Sequence, residues 1–168
     1  MSHSEGKPDR VWSLMQDIKV AMVVTHDGHG DRLRTRPMAA RPDPEENAIF
    51  FLTDESAGKD EEINRNGNVC LAFADIKGQK YVSVTGAARV SNDRAKIKAI
   101  FSTADKAFWK DADDPAVRLL RVDPAVAEYW EGPGFVVSIV KMIGAALTGG
   151  DRDLGDNKKV AMSGSFHS

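Results

Sequence analysis

Short runs of β-branched and apolar residues, each followed by turn-forming residues, are the feature that most limits how this chain can fold. Four such runs stand out, at residues 20–25, 48–53, 69–74 and 81–90. They are short and rich in Val, Ile, Phe and Thr, and the segments between them contain Gly, Asn and Asp, a pattern typical of strands joined by turns. We therefore expect a sheet of largely antiparallel strands with few helices.

Two further segments complete the predicted sheet. Residues 33–40 predict a second strand, although Pro37 has no N–H group and must lie at an edge, at a bulge or away from a neighbouring strand. Residues 117–122 predict the last strand, which can extend to Trp130. Gly86 in the middle of a strand predicts a bulge or bend of the kind that curls a sheet into a barrel. The expected fold is mainly β with flanking helices, a six-stranded antiparallel barrel.

The 168 residues are enough for one domain with one hydrophobic core. We expect a flexible N-terminus over residues 1–10, a domain over residues 11–150 and a polar, disordered tail over residues 151–168. Helical spacing of apolar residues and capping residues predict four helices. These are a helix with Asp9 as its N-cap, a short helix within residues 54–66, a helix capped by Asn92 or Asp93, and a helix over residues 136–147, for which a strand is the alternative.

Composition excludes several classes of protein. With 23 Lys+Arg against 25 Asp+Glu, the formal net charge is −2, whereas non-specific nucleic-acid binders carry a basic excess. No apolar run approaches the roughly 20 residues that a membrane-spanning helix needs. The single cysteine, Cys70, excludes an intrachain disulfide and fits a reducing cytoplasm, and with four histidines we expect no metal site.

Two segments carry the residue types of a phosphate site. Residues 34–39 place two arginines on the strand that Pro37 interrupts, and residues 51–59 place hydroxyls, a glycine and Lys59 in a turn before a helix. Arginine binds phosphate through two parallel hydrogen bonds, lysine adds a point charge, and a helix N-terminus attracts anions. An exposed, solvated strand face is the alternative explanation for the two arginines.

Taken together, these segments resemble the flavin-binding split barrels related to pyridoxamine 5′-phosphate oxidase, and within them the general stress protein 26 group. The resemblance extends from about Val11 to Thr148. The segments that carry it are Arg36-Pro37-Met38, Phe50-Phe51-Leu52-Thr53 with Ser56 and Lys59, Glu62-Ile63, Val69-Cys70-Leu71-Ala72-Phe73, Tyr81-Val82-Ser83-Val84-Thr85-Gly86-Ala87-Ala88, Lys106-Ala107-Phe108-Trp109, Asp114-Pro115, Val122-Asp123-Pro124 and Ala127-Glu128-Tyr129-Trp130.

The resemblance implies FMN bound in a cleft between the two subunits of a homodimer. Tyr81 stands where the related oxidases often carry a glutamine, and the Arg-x-His segment with which true pyridoxine-phosphate oxidases bind their substrate has no counterpart near His167. Vitamin B6 oxidation is therefore not expected. The cofactor-binding residues that the resemblance implies are Arg34, Thr35, Arg36, Pro37, Met38, Leu52, Thr53, Ser56, Gly58, Lys59, Tyr81, Trp109 and Trp130.

The function implied is that of an FMN-dependent oxidoreductase of the general stress type, acting with a small-molecule electron donor or acceptor. The residues leave FMN and a deazaflavin both open, and they identify no catalytic acid or base. A flavin-binding stress or sensor protein without efficient turnover is the alternative. A third reading, a barrel that binds oligonucleotides, predicts aromatic platforms interleaved with basic residues, a pattern that this slightly acidic chain lacks.

Overall fold

A curled antiparallel sheet with two flanking helices forms the fold. The computed structural model describes residues 6–28, 31–55, 63, 66–132 and 158–162. The helices are α1 (Pro8–Ile18), α2 (Arg94–Ile100) and a short 3₁₀ helix (Thr103–Ala107). The strands are β1 (Val20–His26), β2 (Leu33–Ala39), β3 (Arg41–Asp43), β4 (Ala48–Asp54), β5 (Asn68–Asp75), β6 (Lys80–Ser91), β7 (Val117–Glu131) and β8 (Lys158–Ala161).

The sheet closes on itself at Ala40. Its strand order is β2-β1-β5-β6-β7-β4-β3, with β8 paired to β7, so β2 and β3 are the two edges. Yet β2 and β3 are consecutive in the chain, because only Ala40 separates them, and its N–H donates to the carbonyl of Lys19 at 2.7 Å. The two edges therefore meet, and the sheet curls into a barrel. Among the described residues no strand pairing joins β2 to β4, which leaves a split between them.

Strand β4 is buried on both faces. Ile49 and Phe51 point into the barrel, where they join the main core. Phe50 and Leu52 point outward into a second apolar cluster that includes Ile97 of α2. Since a strand alternates its side chains between two faces, the unbroken apolar run of β4 is what a strand between two layers requires.

Gly86 marks the bend of the long strand pair β6 and β7. The register between these strands shifts between Thr85 and Gly86, which confirms the predicted bulge. A Cβ atom at Gly86 would lie 2.3 Å from the carbonyl oxygen of Asp123 and 3.0 Å from Cα of Pro124. Only glycine allows the two backbones to approach this closely, so Gly86 determines where the strand pair bends.

The mainly β split-barrel class is confirmed, with differences in detail. The described residues form eight strands rather than six, because β3 and β8 were not predicted. Strand β8 lies within the tail that was expected to be disordered, and α1 begins at Pro8, inside the expected flexible N-terminus. Lys7, not Asp9, is the N-cap of α1, whereas the predicted cap Asp93 does accept from the N–H of Lys96.

Two predicted helices fall largely or wholly on residues that the structure does not describe. Of the short helix within residues 54–66, Ile63 is described, and it is helical and buried against the main core. The helix predicted over residues 136–147 lies outside the described residues.

Candidate functional site

A cavity of about 220 Å³ lies at the split between β2 and β4. Strand β2 forms one wall, the end of β4 forms the opposite wall, and the 3₁₀ helix with the residues after it closes one end. The lining residues are Pro37, Met38, Ala39, Arg41, Leu52, Thr53, Asp54, Asp105, Phe108 and Trp109. The cavity is thus built where strands β2 and β3 bring two edges of the sheet together, at the split between β2 and β4.

Neighbouring residues of β4 point to opposite sides of this wall. Thr53 is buried, with 2% of its surface exposed, and its side chain lies on the same inward face of β4 as that of Phe51. Asp54 lies on the outward side with Leu52, and its carboxylate accepts a hydrogen bond from Nε1 of Trp109 at 3.2 Å. This bond fixes the position of the indole at the cavity wall.

Arg41 and Asp105 form a clamp at the cavity wall. Nη2 of Arg41 lies 2.6 Å from both carboxylate oxygens of Asp105. Nε and Nη1 donate to the carbonyls of Ile100 and Ala39, each at 3.2 Å. All three guanidinium nitrogens therefore bond within the protein, and the guanidinium ties β3 to the 3₁₀ helix.

Asp105 in turn organises the segment that carries Phe108 and Trp109. Its carboxylate accepts from the backbone N–H of Ser102 at 2.7 Å and from the hydroxyl at 2.8 Å, closing a capping box. Its carbonyl accepts from the N–H groups of Phe108 and Trp109. Burial raises the pKa of Asp105, but the bonds from Arg41 and Ser102 outweigh burial, and the pKa lies below its ordinary value. Asp105 is thus an anion at neutral pH.

The side chains of β2 divide between the two faces of the sheet. Arg34 and Arg36 pair in register with Thr25 and Val23, which are buried, and Met38 packs on the main core. The two arginines therefore lie on the inward side of β2, where Nη1 of Arg36 contacts the hydroxyl of Thr25 at 3.4 Å.

The backbone N–H and C=O groups of β2 also alternate, between the side of β1 and the side of the split. Ala40 donates its N–H to Lys19 at the β1 end, while the carbonyl of Ala39 accepts from Arg41. In an antiparallel strand alternate residues direct both backbone groups to the same side. The backbone N–H and C=O groups that face the split are therefore those of the odd-numbered residues Thr35, Pro37 and Ala39. Pro37 has no N–H group, but no neighbouring strand pairs on this side, so no hydrogen bond of the sheet is lost, as expected of an edge proline.

The structure brings together part of the predicted site. Pro37, Met38, Leu52, Thr53 and Trp109 line the cavity. Arg34, Thr35 and Arg36 precede them on the same strand, β2. Ser56, Gly58 and Lys59 lie outside the described residues.

Two predicted residues lie away from the cavity of their own chain. Tyr81 and Trp130 pair with each other across β6 and β7. Neither is among the described residues that line the cavity.

Five cavity residues were not predicted: Ala39, Arg41, Asp54, Asp105 and Phe108. The sequence did hold a signal for one of them. Ser102 followed three residues later by Asp105 matches the spacing of a capping box, which marks the start of a helical turn. No local pattern signals Arg41, because its partner lies 64 residues away.

One face of the sheet is accessible and almost uncharged. Cross-strand pairing places two rows of side chains on this outer face. It includes the exposed apolar residues Val20 and Met22, whose inward neighbours Ala21 and Val23 are buried. The rows are Pro37, Met22, Ala72, Ser83, Glu128 and Lys159, and Thr35, Val24, Cys70, Thr85, Val126 and Ala161. Their two charged residues, Glu128 and Lys159, pair with each other.

Within the described part of the chain, no helix is long and apolar enough to cross a membrane. The same residues contain no group of three or more His, Cys, Asp or Glu side chains arranged to hold a metal ion.

Comparison with known proteins identifies both a family and a fold. The family model described as "Pyridoxamine 5′-phosphate oxidase like" matches residues 7–153. Among curated proteins, "Protein bli-3" of Neurospora crassa is 25% identical over 127 residues, which cover 70% of this chain and 61% of that protein. The match thus spans less than two thirds of this relative.

Solved structures share the fold. General Stress Protein 26 of Bacillus anthracis superposes with a TM-score of 0.65 at 18% identity, covering 72% of this chain and 91% of that one. The general stress FMN/FAD binding protein of Xanthomonas citri gives a TM-score of 0.64 at 23% identity, covering 73% of this chain and 87% of that one.

Proposed function

This chain belongs to the family of proteins like pyridoxamine 5′-phosphate oxidase, and we propose that it binds FMN at the split between β2 and β4 and acts as a flavin-dependent oxidoreductase. The observation that carries the proposal is the cavity itself. It is an apolar slot between two strand ends, and the strand that forms one wall also bears two arginines. The structure of a protein described as FMN/FAD binding shares this fold.

The residues present fit the chemistry of FMN. Arg34 and Arg36 are suited to a phosphate, which arginine binds with a planar pair of donors. Pro37, Met38 and Leu52 offer an apolar wall for a flat ring. Arg41 is less suited to a phosphate, because Asp105 and two carbonyls already bond all three of its guanidinium nitrogens.

Three residues that follow β4 complete the proposed phosphate site. Ser56, Gly58 and Lys59 supply a hydroxyl, a backbone that can approach closely and a positive charge. On the ring side, the odd-numbered residues of β2 direct their backbone groups into the split, so the N–H groups of Thr35 and Ala39 are placed to donate to polar atoms of the flavin edge.

A bound flavin supplies transfer of one or two electrons, and the chain supplies placement, exclusion of water and electrostatics. The apolar wall of Pro37, Met38 and Leu52 keeps water from the ring. Asp54 holds the indole of Trp109 in place, and the clamp of Arg41 with Asp105 holds the segment behind it.

The first experiment is a visible absorption spectrum of the purified full chain, recorded again after FMN is added and the excess is removed by desalting. We expect retained flavin with a protein-shifted spectrum. Loss of a bond to a charged group costs about 1.5–3 kcal/mol, so Arg36→Met should weaken FMN affinity roughly 10- to 100-fold. Arg89→Met is the matched control, because Arg89 lies on β6 and its side chain is 67% exposed.

Two results would refute FMN binding at the split. One is that no flavin is retained at any loading. The other is that the Arg36 and Arg89 variants bind FMN equally well. If a deazaflavin is retained where FMN is not, the site stands and the cofactor is corrected.

We also propose that the sparsely charged outer face of the sheet is the interface of a homodimer. Isolated apolar residues at a surface are ordinary, but a contiguous face of twelve residues whose two charges pair with each other is typical of a protein interface. In this arrangement Tyr81 and Trp130 contact the flavin bound to the other protomer. The interface would also bury the half-exposed Cys70 in a chain that works in the reducing cytoplasm.

The interface is tested by adding a charge to it. Met22→Lys should shift the particle from dimer to monomer, as measured by size-exclusion chromatography with light scattering. Ile76→Lys makes the same change at an exposed position in the turn after β5, and it should leave the dimer intact. A monomeric wild-type protein, or a dimer that survives Met22→Lys unchanged, would refute this interface.

Turnover is tested by anaerobic mixing of the flavin-loaded protein with NADH or NADPH. An oxidoreductase that uses these donors bleaches the flavin absorbance rapidly. A flavin-binding stress or sensor protein retains the absorbance with every donor, and that result would refute the oxidoreductase activity while leaving flavin binding in place.

A further inference from the structure

Phe108 is an exposed aromatic residue that also lines the cavity. It is 78% exposed. A single exposed apolar side chain is ordinary at a protein surface. Ile76 is exposed to the same extent, yet it is not among the described residues that line the cavity. Phe108 therefore differs from Ile76 because its open surface faces a site where a ligand can bind.

Three of the described lining residues are exposed, and they form the rim of the cavity. Two of them, Pro37 and Ala39, belong to β2, and the third, Phe108, follows the 3₁₀ helix. Leu52 and Thr53 of β4 are instead buried, with 7% and 2% of their surfaces exposed, so β4 forms the deep part of the cavity. A ligand that fills the cavity from β4 outward would thus meet the ring of Phe108 at the rim.

The surroundings of Phe108 hold its backbone and support one side of its ring. The N–H of Phe108 donates to the carbonyl of Asp105 at 2.9 Å. Its ring lies 5.7 Å from that of Trp109 between centroids, inclined at 53°. Nε1 of Trp109 in turn donates to the carboxylate of Asp54 at 3.2 Å. The exposed ring of Phe108 is therefore backed by a second ring that a hydrogen bond fixes in place.

The size of the cavity indicates that a bound flavin would extend past the rim. The cavity measures about 220 Å³, whereas pockets that enclose a small molecule or cofactor usually measure about 300–1,000 Å³. FMN consists of a flat three-ring system and a phosphate-bearing chain, and a cavity of this size can enclose only part of it. Apolar ring surface outside the cavity would remain in contact with water unless a side chain of the protein covers it.

We propose that Phe108 packs against the ring system of the bound flavin where the ring leaves the cavity. This inference rests on the proposed function and deepens it, because it assigns part of the affinity for the ring to Phe108, separately from the affinity for the phosphate. Packing removes the exposed surface of Phe108 and that of the flavin from water together. Aromatic rings that pack offset or tilted gain further attraction in addition to the area that they bury.

The test separates binding of the ring from binding of the phosphate. FMN carries both, riboflavin carries the ring without the phosphate, and ribose 5-phosphate carries the phosphate without the ring. Dissociation constants for the full chain are measured by equilibrium dialysis for the two flavins and by displacement of FMN for ribose 5-phosphate. We expect Phe108→Ala to weaken binding of FMN and of riboflavin about fivefold each, and to leave ribose 5-phosphate unchanged. Arg36→Met should give the opposite pattern, with weaker binding of FMN and unchanged binding of riboflavin.

Control variants show whether the loss comes from the ring of Phe108. Phe108→Tyr keeps an aromatic ring at this position, and it should bind FMN as the wild type does. Ile76→Ala removes an apolar side chain that is equally exposed, from the turn after β5, and it should change none of the three affinities. Because the side chain of Phe108 is mostly exposed, the melting temperature of Phe108→Ala in a thermal scan should match that of the wild type.

Three outcomes would overturn the role of Phe108 while leaving flavin binding in place. They are that Phe108→Ala binds FMN as tightly as the wild type, that Ile76→Ala weakens FMN binding as much as Phe108→Ala does, and that Phe108→Ala weakens ribose 5-phosphate but not riboflavin. The proposed function fails by a different result. If the wild-type chain retains no flavin at any loading, both the flavin site and the contact with Phe108 are refuted.

Discussion

Replacement of Asp105 by Asn tests whether the Arg41 clamp holds the cavity in shape. The side chain of Asp105 is 8% exposed and that of Arg41 is 20% exposed, so the pair is largely shielded from water. Asn is nearly isosteric and still accepts from Ser102, but it bears no charge toward Arg41. Hydrogen bonds to charged groups contribute about 1.5–3 kcal/mol, so we expect a loss of about 2 kcal/mol in the free energy of unfolding at pH 7.

The loss should depend on pH in a defined direction. The pKa of Asp105 is lower in the folded protein than in the unfolded chain, where it is about 3.9. A group of this kind stabilises the fold above its unfolded pKa, and the contribution disappears as the pH falls through the folded pKa. The wild-type protein and the Asn variant should therefore differ fully at pH 7 and pH 5, and progressively less below about pH 4.

The assay is urea denaturation followed by circular dichroism, at one protein concentration so that any association affects both proteins equally. Asp113→Asn is the control, since Asp113 is 72% exposed and pairs with the exposed Lys98, an arrangement worth less than about 1 kcal/mol. A loss under about 0.5 kcal/mol for the Asp105 variant, or a loss that stays the same in acid, would refute the clamp as a charge interaction. A double-mutant cycle with Arg41→Met isolates the coupling between the two side chains.

Two further changes test the frame of the barrel. Gly86→Ala places a Cβ 2.3 Å from the carbonyl oxygen of Asp123, so the backbone must shift. We expect the free energy of unfolding to fall by about 2 kcal/mol and the melting temperature in a thermal scan to fall by roughly 4–8 °C. Gly132→Ala is the control and should lose less, because its Cβ meets no atom within 4 Å and the variant has only the strain of a positive φ. Glu131→Gln breaks the pair with Arg10 that ties α1 to the end of β7. The bond from Arg10 lowers the pKa of Glu131, but both side chains are about one third exposed, so we expect a loss below about 1 kcal/mol at pH 7 that vanishes below about pH 4, measured by denaturation at both pH values.

Local patterns predicted most of the strands, because β1 and β5 alternate between buried and more exposed residues and β4 is an unbroken apolar run. Strand β3 escaped prediction because Pro42 and Asp43 are poor strand residues, and they pair with β4 only because the barrel closes there. Strand β8 was not predicted for a related reason. Residues Lys158–Ala161 are a short segment within a polar stretch of sequence, and they become a strand by pairing with β7. Pairing between distant segments is not encoded in the composition of either one.

The residues of the candidate site also differ in how well the sequence predicts them. Pro37, Met38 and Thr53 were predicted, because they belong to short segments that carry the family resemblance, and the resemblance implies a cofactor role for these positions. Asp54 was not, because its role comes from Trp109, which lies 55 residues away. The sequence thus predicts which strands build the site, and the folded chain alone reveals which charges face the cavity.

Strand β2 would link the cofactor binding and the association that we propose for this protein. Its seven residues present three sets of groups. The side chains of Arg34 and Arg36 point inward, the side chains of Thr35 and Pro37 lie on the sparsely charged outer face, and the odd-numbered backbone groups face the split. Because Pro37 cannot donate a ladder bond, this edge does not offer a regular template for a further strand. A ligand in the split and a partner on the outer face would therefore contact the same short strand. Binding of either one would restrict the motion of β2, so binding of the other would then cost less conformational entropy.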